Sequence, residues 1–221
     1  MKMTSTTNLI VTILVFSISF SQSLIGTGAD GPLWVPEGET YLVDEVRTII
    51  NGNNSSGLIQ LDVNSSDGFE PGDEIIIVTS LDPTRDFSQN LVGQFEFNII
   101  QSVSEYTLQI SSPIVNDYDG TGDQVHQVVR IPHFTSVDID GTMSCSAWNG
   151  EAGGILSFRA TGTVYVSETG EIDASGSGYR GGWQQGSSHG GGMGGESYIG
   201  IINDFIVGSE SQSATLPKIN T

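Results

Sequence analysis

The chain has 221 residues, with seven Lys or Arg against 26 Asp or Glu and a formal net charge of −19. So acidic a surface repels nucleic acid and anionic lipid, and it favours solubility, cations and basic partners. Cys145 is the sole cysteine, so no intrachain disulfide forms and stability must come from burial.

The N-terminus combines Lys2, an uncharged run from Leu9 to Phe20, and small residues at Ser19, Ser21 and Ser23. This is the pattern of a secretory signal peptide over residues 1–23, with cleavage expected after Ser21 or Ser23. The apolar run falls short of the roughly twenty residues a spanning helix needs, so no membrane span is expected once the leader is removed. An uncleaved anchor is the alternative reading. Losing the leader removes Lys2 and no acid, which leaves the remainder more acidic still.

Past the leader, apolar residues alternate with polar ones in short runs bounded by Gly, Asn, Asp, Ser and Pro, and no amphipathic helix stands out. The expected fold is all-β. Residues 30–56 read as an N-terminal cap: Leu33-Trp34-Val35, a turn at Glu37-Gly38-Glu39, then a strand-forming stretch from Thr40 to Ile50. Such a cap would hide strand edges at the end of a coil.

Residues 57–131 read as a small antiparallel barrel or sandwich. Ile59, Leu61 and Val63 share a face, as do Phe95, Phe97 and Ile99, then Tyr106, Leu108 and Ile110, and finally Val125, Gln127, Val129 and Ile131. Between them Glu70-Pro71-Gly72-Asp73 has turn chemistry, proline presetting the first corner and glycine accepting the positive φ of the second.

Residues 132–175 carry shorter strands. Val137 pairs in phase with Ile139, Val164 with Val166, and Ile172 with Ala174, while Phe158, Val166 and Ala174 recur at a constant step. That cadence fits the sides of parallel β-solenoid coils. A β-sandwich with short hairpins is the alternative. Residues 176–221 form a glycine-rich loop and tail with no evident cap, so self-association through an open solenoid edge is one expectation.

The run from Phe69 to Ile77, then Tyr106 to Pro113, Gly153 to Val164 and Gly178 to Gly182, resembles secreted glycine-rich, β-helix-like surface proteins over residues 57 to 200. In that group Gly-Asp strand modules are similar to small barrels inserted ahead of or between solenoid coils, as in β-helical glycan-processing enzymes and tailspikes. The resemblance implies a secreted coil protein, and its motifs describe turns rather than chemistry.

Candidate sites are few. Asp117, Asp119 and Asp123 alternate beside a glycine bend and are the candidate calcium ligands, against the alternative of a solvated acidic turn. Asn53, Asn54 and Asn64 head sequons, so glycans are expected there if the source is eukaryotic. Tyr179, Trp183 and Tyr198 are candidate surface contacts, with Trp148 as a further aromatic.

No catalytic residue is assigned. Asp138, Asp140, Glu168, Glu171 and Asp173 alternate with apolar residues as strand amphipathicity alone requires, Arg159 is expected to pair with a neighbouring acid, and His126, His133 and His189 are scattered. The expected role is a secreted, non-enzymatic structural or adhesive protein whose partner is an extracellular glycan or matrix protein. The alternatives are a polysaccharide-active lyase or glycosidase, and a carbohydrate- or calcium-binding module.

Overall fold

The computed structural model describes residues 25–82 and 91–178, together with the backbone of 200–202 and 205–207. Every assigned element among them is a β-strand, as the alternation predicts. The signal-peptide segment lies outside the described residues. No helix among them is long and apolar enough to cross a membrane.

In chain order, β1 (Gly31–Val35) and β2 (Thr40–Leu42) come first. Then β3 (Arg47–Ile49), β4 (Asn53–Asn54), β5 (Gln60–Asp62), β6 (Glu74–Leu81), β7 (Phe95–Ser104), β8 (Thr107–Ile110), β9 (Tyr118–Asp119) and β10 (Val125–Ile131) intervene. They are followed by β11 (His133–Ile139), β12 (Thr142–Ser144), β13 (Arg159–Ala160), β14 (Val164–Val166) and β15 (Glu171–Ile172). A hairpin of β16 (Gly200–Ile202) and β17 (Phe205–Val207) closes the described chain.

Two parallel sheets meet at a corner. In the first, β11 lies between β1 on one side and β13 with β14 on the other. In the second, β12 lies between β2 and β15. The chain therefore makes three stacked passes, each running through one sheet, around the corner and into the other. Alternation places Val35, Val137, Ile139, Phe134 and Met143 inside, packed with Tyr41, Leu156 and Phe158.

At the corners glycine is obligatory for reasons of space. A Cβ on Gly141 would run into the carbonyl oxygens of Pro36 and Glu39, and one on Gly170 into that of Ile139. Each corner thus rests directly on the backbone of the pass beneath it. On the third pass Val164, Val166 and Ile172 remain 42%, 40% and 44% exposed, since no described pass covers them.

Between the first and second passes the chain leaves the stack and builds an antiparallel sheet in the order β3-β10-β6-β7-β8-β5. The sheet curls until its edges meet at an Ile50 to Val63 bridge, reinforced by Asn51 N–H donating to Asp62 O at 2.8 Å. Leu61, Ile75, Ile77, Ile100, Leu108, Ile110, Tyr118 and Val128 fill its interior. Each fully buried aliphatic side chain there contributes about 1.5–3 kcal/mol. The turn before β6 forms as expected, with Asp73 N–H donating to Glu70 O at 3.1 Å and Gly72 at φ 100°.

Several expectations are corrected. Phe95 and Phe97 face outward, 55% and 40% exposed, and Asn98 is the buried residue. Its amide explains the inversion: Asn98 Nδ2 donates to Ser112 O at 2.9 Å, while its Oδ1 accepts from Ile99 N and Ser112 N. Those bonds fasten β7 to the segment after β8, and a satisfied amide outweighs ring burial at this position. Ile59 and Tyr106, expected inward with their neighbours, are 52% and 57% exposed beyond the ends of β5 and β8. β3 and β4, in the stretch read as a cap, pair with β10 and β9.

Candidate functional site

The register of the first parallel sheet decides what its outer face carries. Trp34 of β1 pairs with Asp138 of β11, and Asp138 pairs with Tyr165 of β14. Their neighbours Val35, Val137 and Ile139 point inward, so this rung points outward. Trp34 is 65% exposed and Tyr165 55%. Adjacent strands lie about 4.8 Å apart, which puts the two aromatic positions about 10 Å from each other with a carboxylate between them.

The corner steadies one end of this row. Trp34 Nε1–H donates to Asp140 Oδ2 at 2.9 Å, which fixes the indole and leaves its ring in solvent. That bond, followed by one involving Ser167, holds the Asp140 carboxyl below its ordinary range. Thr169 Oγ1 donates to Asp140 O at 3.2 Å, so the third pass grips the same corner. An aromatic pair with its orientation set and a carboxylate at its centre can stack on a flat ligand and accept hydrogen bonds from it.

The cations lie elsewhere. Among the described residues Arg47, Arg130 and Arg159 are the basic side chains. Arg47 Nη1 donates to Asp44 O at 2.7 Å, and Arg130 holds Asp30 and Asp73, each at 2.6 Å. Arg159 holds Glu74 through Nε and, at 2.7 Å, through Nη2, and its guanidinium lies 5.4 Å from the Phe97 ring centre.

Glu74 centres a joint between the antiparallel sheet and the stack. Its side chain is fully buried, with Oε2 2.6 Å from His133 Nε2. Thr27 N–H donates to His133 Nδ1 at 3.2 Å, so the ring proton sits on Nε2, facing Glu74. Burial pushes the Glu74 carboxyl up, but the bonds from Arg159 and His133 outweigh it and hold the group at about 2. Asp30 adds a tie, its Oδ2 accepting from His133 N at 2.6 Å. Enclosed in this way, Glu74 couples two layers rather than presenting a reactive carboxylate to solvent.

The sequence candidates are dispersed. Asp117 Oδ1 accepts from Ser56 N at 2.8 Å and Asp119 Oδ1 accepts from Thr121 N at 2.9 Å. Among the described residues no group of three or more His, Cys, Asp and Glu side chains is placed to hold a metal ion.

Asn53 and Asn64 are exposed, whereas Asn54 is buried with Nδ2 donating to Asn51 O at 2.9 Å. Tyr179, Trp183, Tyr198 and His189 lie outside the described residues. Trp148 is buried, and so is Cys145, whose thiol burial pushes up. His126 lies inside the antiparallel sheet, 3.0 Å from Thr79 Oγ1 and edge-on to Tyr118. Arg159 meets an acid, as its strand position predicts, and that acid is Glu74.

The sequence reading passed over Trp34 and Tyr165. A signal was present in the three triplets Leu33-Trp34-Val35, Val137-Asp138-Ile139 and Val164-Tyr165-Val166, each with one aromatic or acidic residue between two aliphatic ones. Only the pairing register shows that the three middle residues share a rung.

No family model and no curated protein matches the chain. Among solved structures it is similar to three phage tailspikes. That of Acinetobacter baumannii bacteriophage AP22, in complex with A. baumannii capsular saccharide, is 13% identical over 52% of this chain and 22% of that one, with TM-score 0.31. That of Pseudomonas phage phi297 is 16% identical over 58% and 23%, with TM-score 0.32. That of Pseudomonas phage LKA1 is 15% identical over 53% and 27%, with TM-score 0.30. The chain spans about a quarter of the length of these tailspikes. Likeness at this level carries no conclusion about this chain's fold or function.

Proposed function

We propose that this is a secreted surface protein that holds an extracellular glycan against the Trp34–Asp138–Tyr165 rung and does not cleave it, in an adhesive or structural role. One observation carries the reading: residues from three separate passes form a single row, with two exposed rings flanking a carboxylate. Exposed aromatic rings grouped on one face are the usual means of contacting flat apolar surfaces, and the faces of sugar rings are such surfaces. The leader-like N-terminus supports an extracellular setting.

The test is co-sedimentation with insoluble polysaccharides, comparing the wild type with the W34A/Y165A double variant, alongside an assay for released reducing ends. Retention that the double variant loses, with no sugar released, supports the reading. Retention that is unchanged in the double variant contradicts it, and sugar release makes the protein an enzyme.

A further inference from the structure

We infer that the glycan class recognised at this rung is a polysaccharide bearing free amino groups, its ammonium seated on Asp138 between Trp34 and Tyr165. The inference rests on the glycan-contact reading above and adds the ligand's charge.

Three observations converge on it. The first is the order of the rung. Asp138 is exposed, flanked on both sides by exposed rings, and its carboxylate takes up no hydrogen bond from the described residues. An ammonium gains from a carboxylate by charge-assisted hydrogen bonding and from aromatic rings by cation–π attraction, and both partners are present here.

The second is the division of labour between the two nearest acids. Asp140 is committed through Oδ2 to the Trp34 indole, so it orients the ring, and Asp138 is left as the carboxylate facing a ligand. The third is the disposition of positive charge. All three described arginines are engaged with acids or a backbone carbonyl, and the chain as a whole carries −19. A uronate or sulfated chain would meet acidic surface with no available cation among the described residues. A neutral chain could stack on the rings but would leave the charge of Asp138 unused. A basic peptide shares the charge of an amino sugar without its flat ring, and the spacing of two aromatic positions along one rung favours the sugar.

The experiment is titration calorimetry of the full chain without its leader, at a pH where the glucosamine nitrogen is protonated. The probes are a glucosamine hexamer, its fully N-acetylated counterpart, a galacturonate hexamer and hexalysine. The expected result is binding of the glucosamine hexamer at least tenfold tighter than the acetylated one, weakening with added salt, with no heat from galacturonate and weaker binding of hexalysine. In D138N the preference for the free amine should disappear while binding of the acetylated hexamer survives, and the variant's circular dichroism should match the wild type.

Equal binding of the two hexamers, or a preference that D138N leaves intact, overturns the inference while leaving the glycan-contact reading in place. Hexalysine binding as tight as that of the glucosamine hexamer also overturns it, because charge alone would then suffice. Failure of every sugar to bind overturns this inference, and the contact reading falls with it when the co-sedimentation test also shows no retention.

Discussion

Arg159 Nη2 donates to Glu74 Oε1 at 2.7 Å, joining a strand of the third parallel pass to the first residue of β6, a central strand of the inserted antiparallel sheet. The contact fixes how the insertion sits on the stack. With His133 and Thr27 it forms a chain of bonds from the N-terminal segment through the sheet to the last described pass.

Breaking that pair by removing its acid leaves the Arg159 guanidinium and the His133 ring without the buried carboxylate they share. Glu74→Ala should destabilise the fold by about 3–5 kcal/mol, read as a lowered urea midpoint at unchanged slope. Asp138→Asn, on the exposed rung, should stay within about 0.5 kcal/mol of the wild type. A Glu74→Ala variant as stable as the wild type would show that the joint contributes nothing.

The same group sets an acid limit. The ordinary carboxyl value for Glu74 is 4.5 and the folded value is about 2, so the unfolded chain takes up the proton first. Stability is fully present above the unfolded value and is lost as pH falls through the folded one, by up to roughly 3 kcal/mol between those limits. Denaturation midpoints followed from pH 6 to pH 2 should fall over that window, and the fall should be shallower in Glu74→Gln. An identical slope in the variant would contradict the assignment.

The corner glycines predict a contrast between two chemically identical substitutions. Gly170→Ala forces a methyl against the Ile139 carbonyl oxygen, a backbone atom that cannot move without parting the passes. A loss of about 1–3 kcal/mol or more is expected. Gly122→Ala meets open space at an ordinary φ and should be neutral. Thermal melts of the pair would contradict the stacking geometry if the order were reversed.

Calcium should leave the melting temperature where it is. Asp117 spends an oxygen on the Ser56 N–H and Asp119 one on the Thr121 N–H, and the described residues assemble no group of three His, Cys, Asp or Glu side chains placed to hold a metal ion. An ion bound only by the folded state at a hundredfold excess over its dissociation constant adds about 2.7 kcal/mol. For a chain of this size that is roughly 5 °C or more. Such a rise with calcium, reversed by chelator, would show that the loop does bind the ion.

Much of the strand content was legible because alternation is local. Val137 and Ile139 point inward as their spacing predicts, the apolar run of β6 is buried on both faces, and the Glu70–Asp73 turn forms from its proline and glycine. Face assignment failed at Phe95 and Phe97, where hydrophobicity pointed inward but the four-way bonding of the Asn98 amide decided the register. The candidate site was illegible for a different reason. Trp34 and Asp138 are brought together by an inserted sheet whose length hides the return of the chain, and no local pattern encodes which rung a returning strand will join. The pairing of Glu74 with His133 and Arg159 is likewise set only by how the insertion docks.

The central claim is that Trp34, Asp138 and Tyr165 form one contact surface, and the Trp34 indole proton reports on it directly. The measurement is a nitrogen-15 NMR titration of the indole N–H resonances with the glucosamine hexamer, Trp34 being assigned from the W34F spectrum. The account predicts that the Trp34 signal, held by Asp140, shifts progressively with ligand, that the buried Trp148 signal stays still, and that Tyr165→Ala reduces the shift. A stationary Trp34 signal while another part of the protein responds would contradict it.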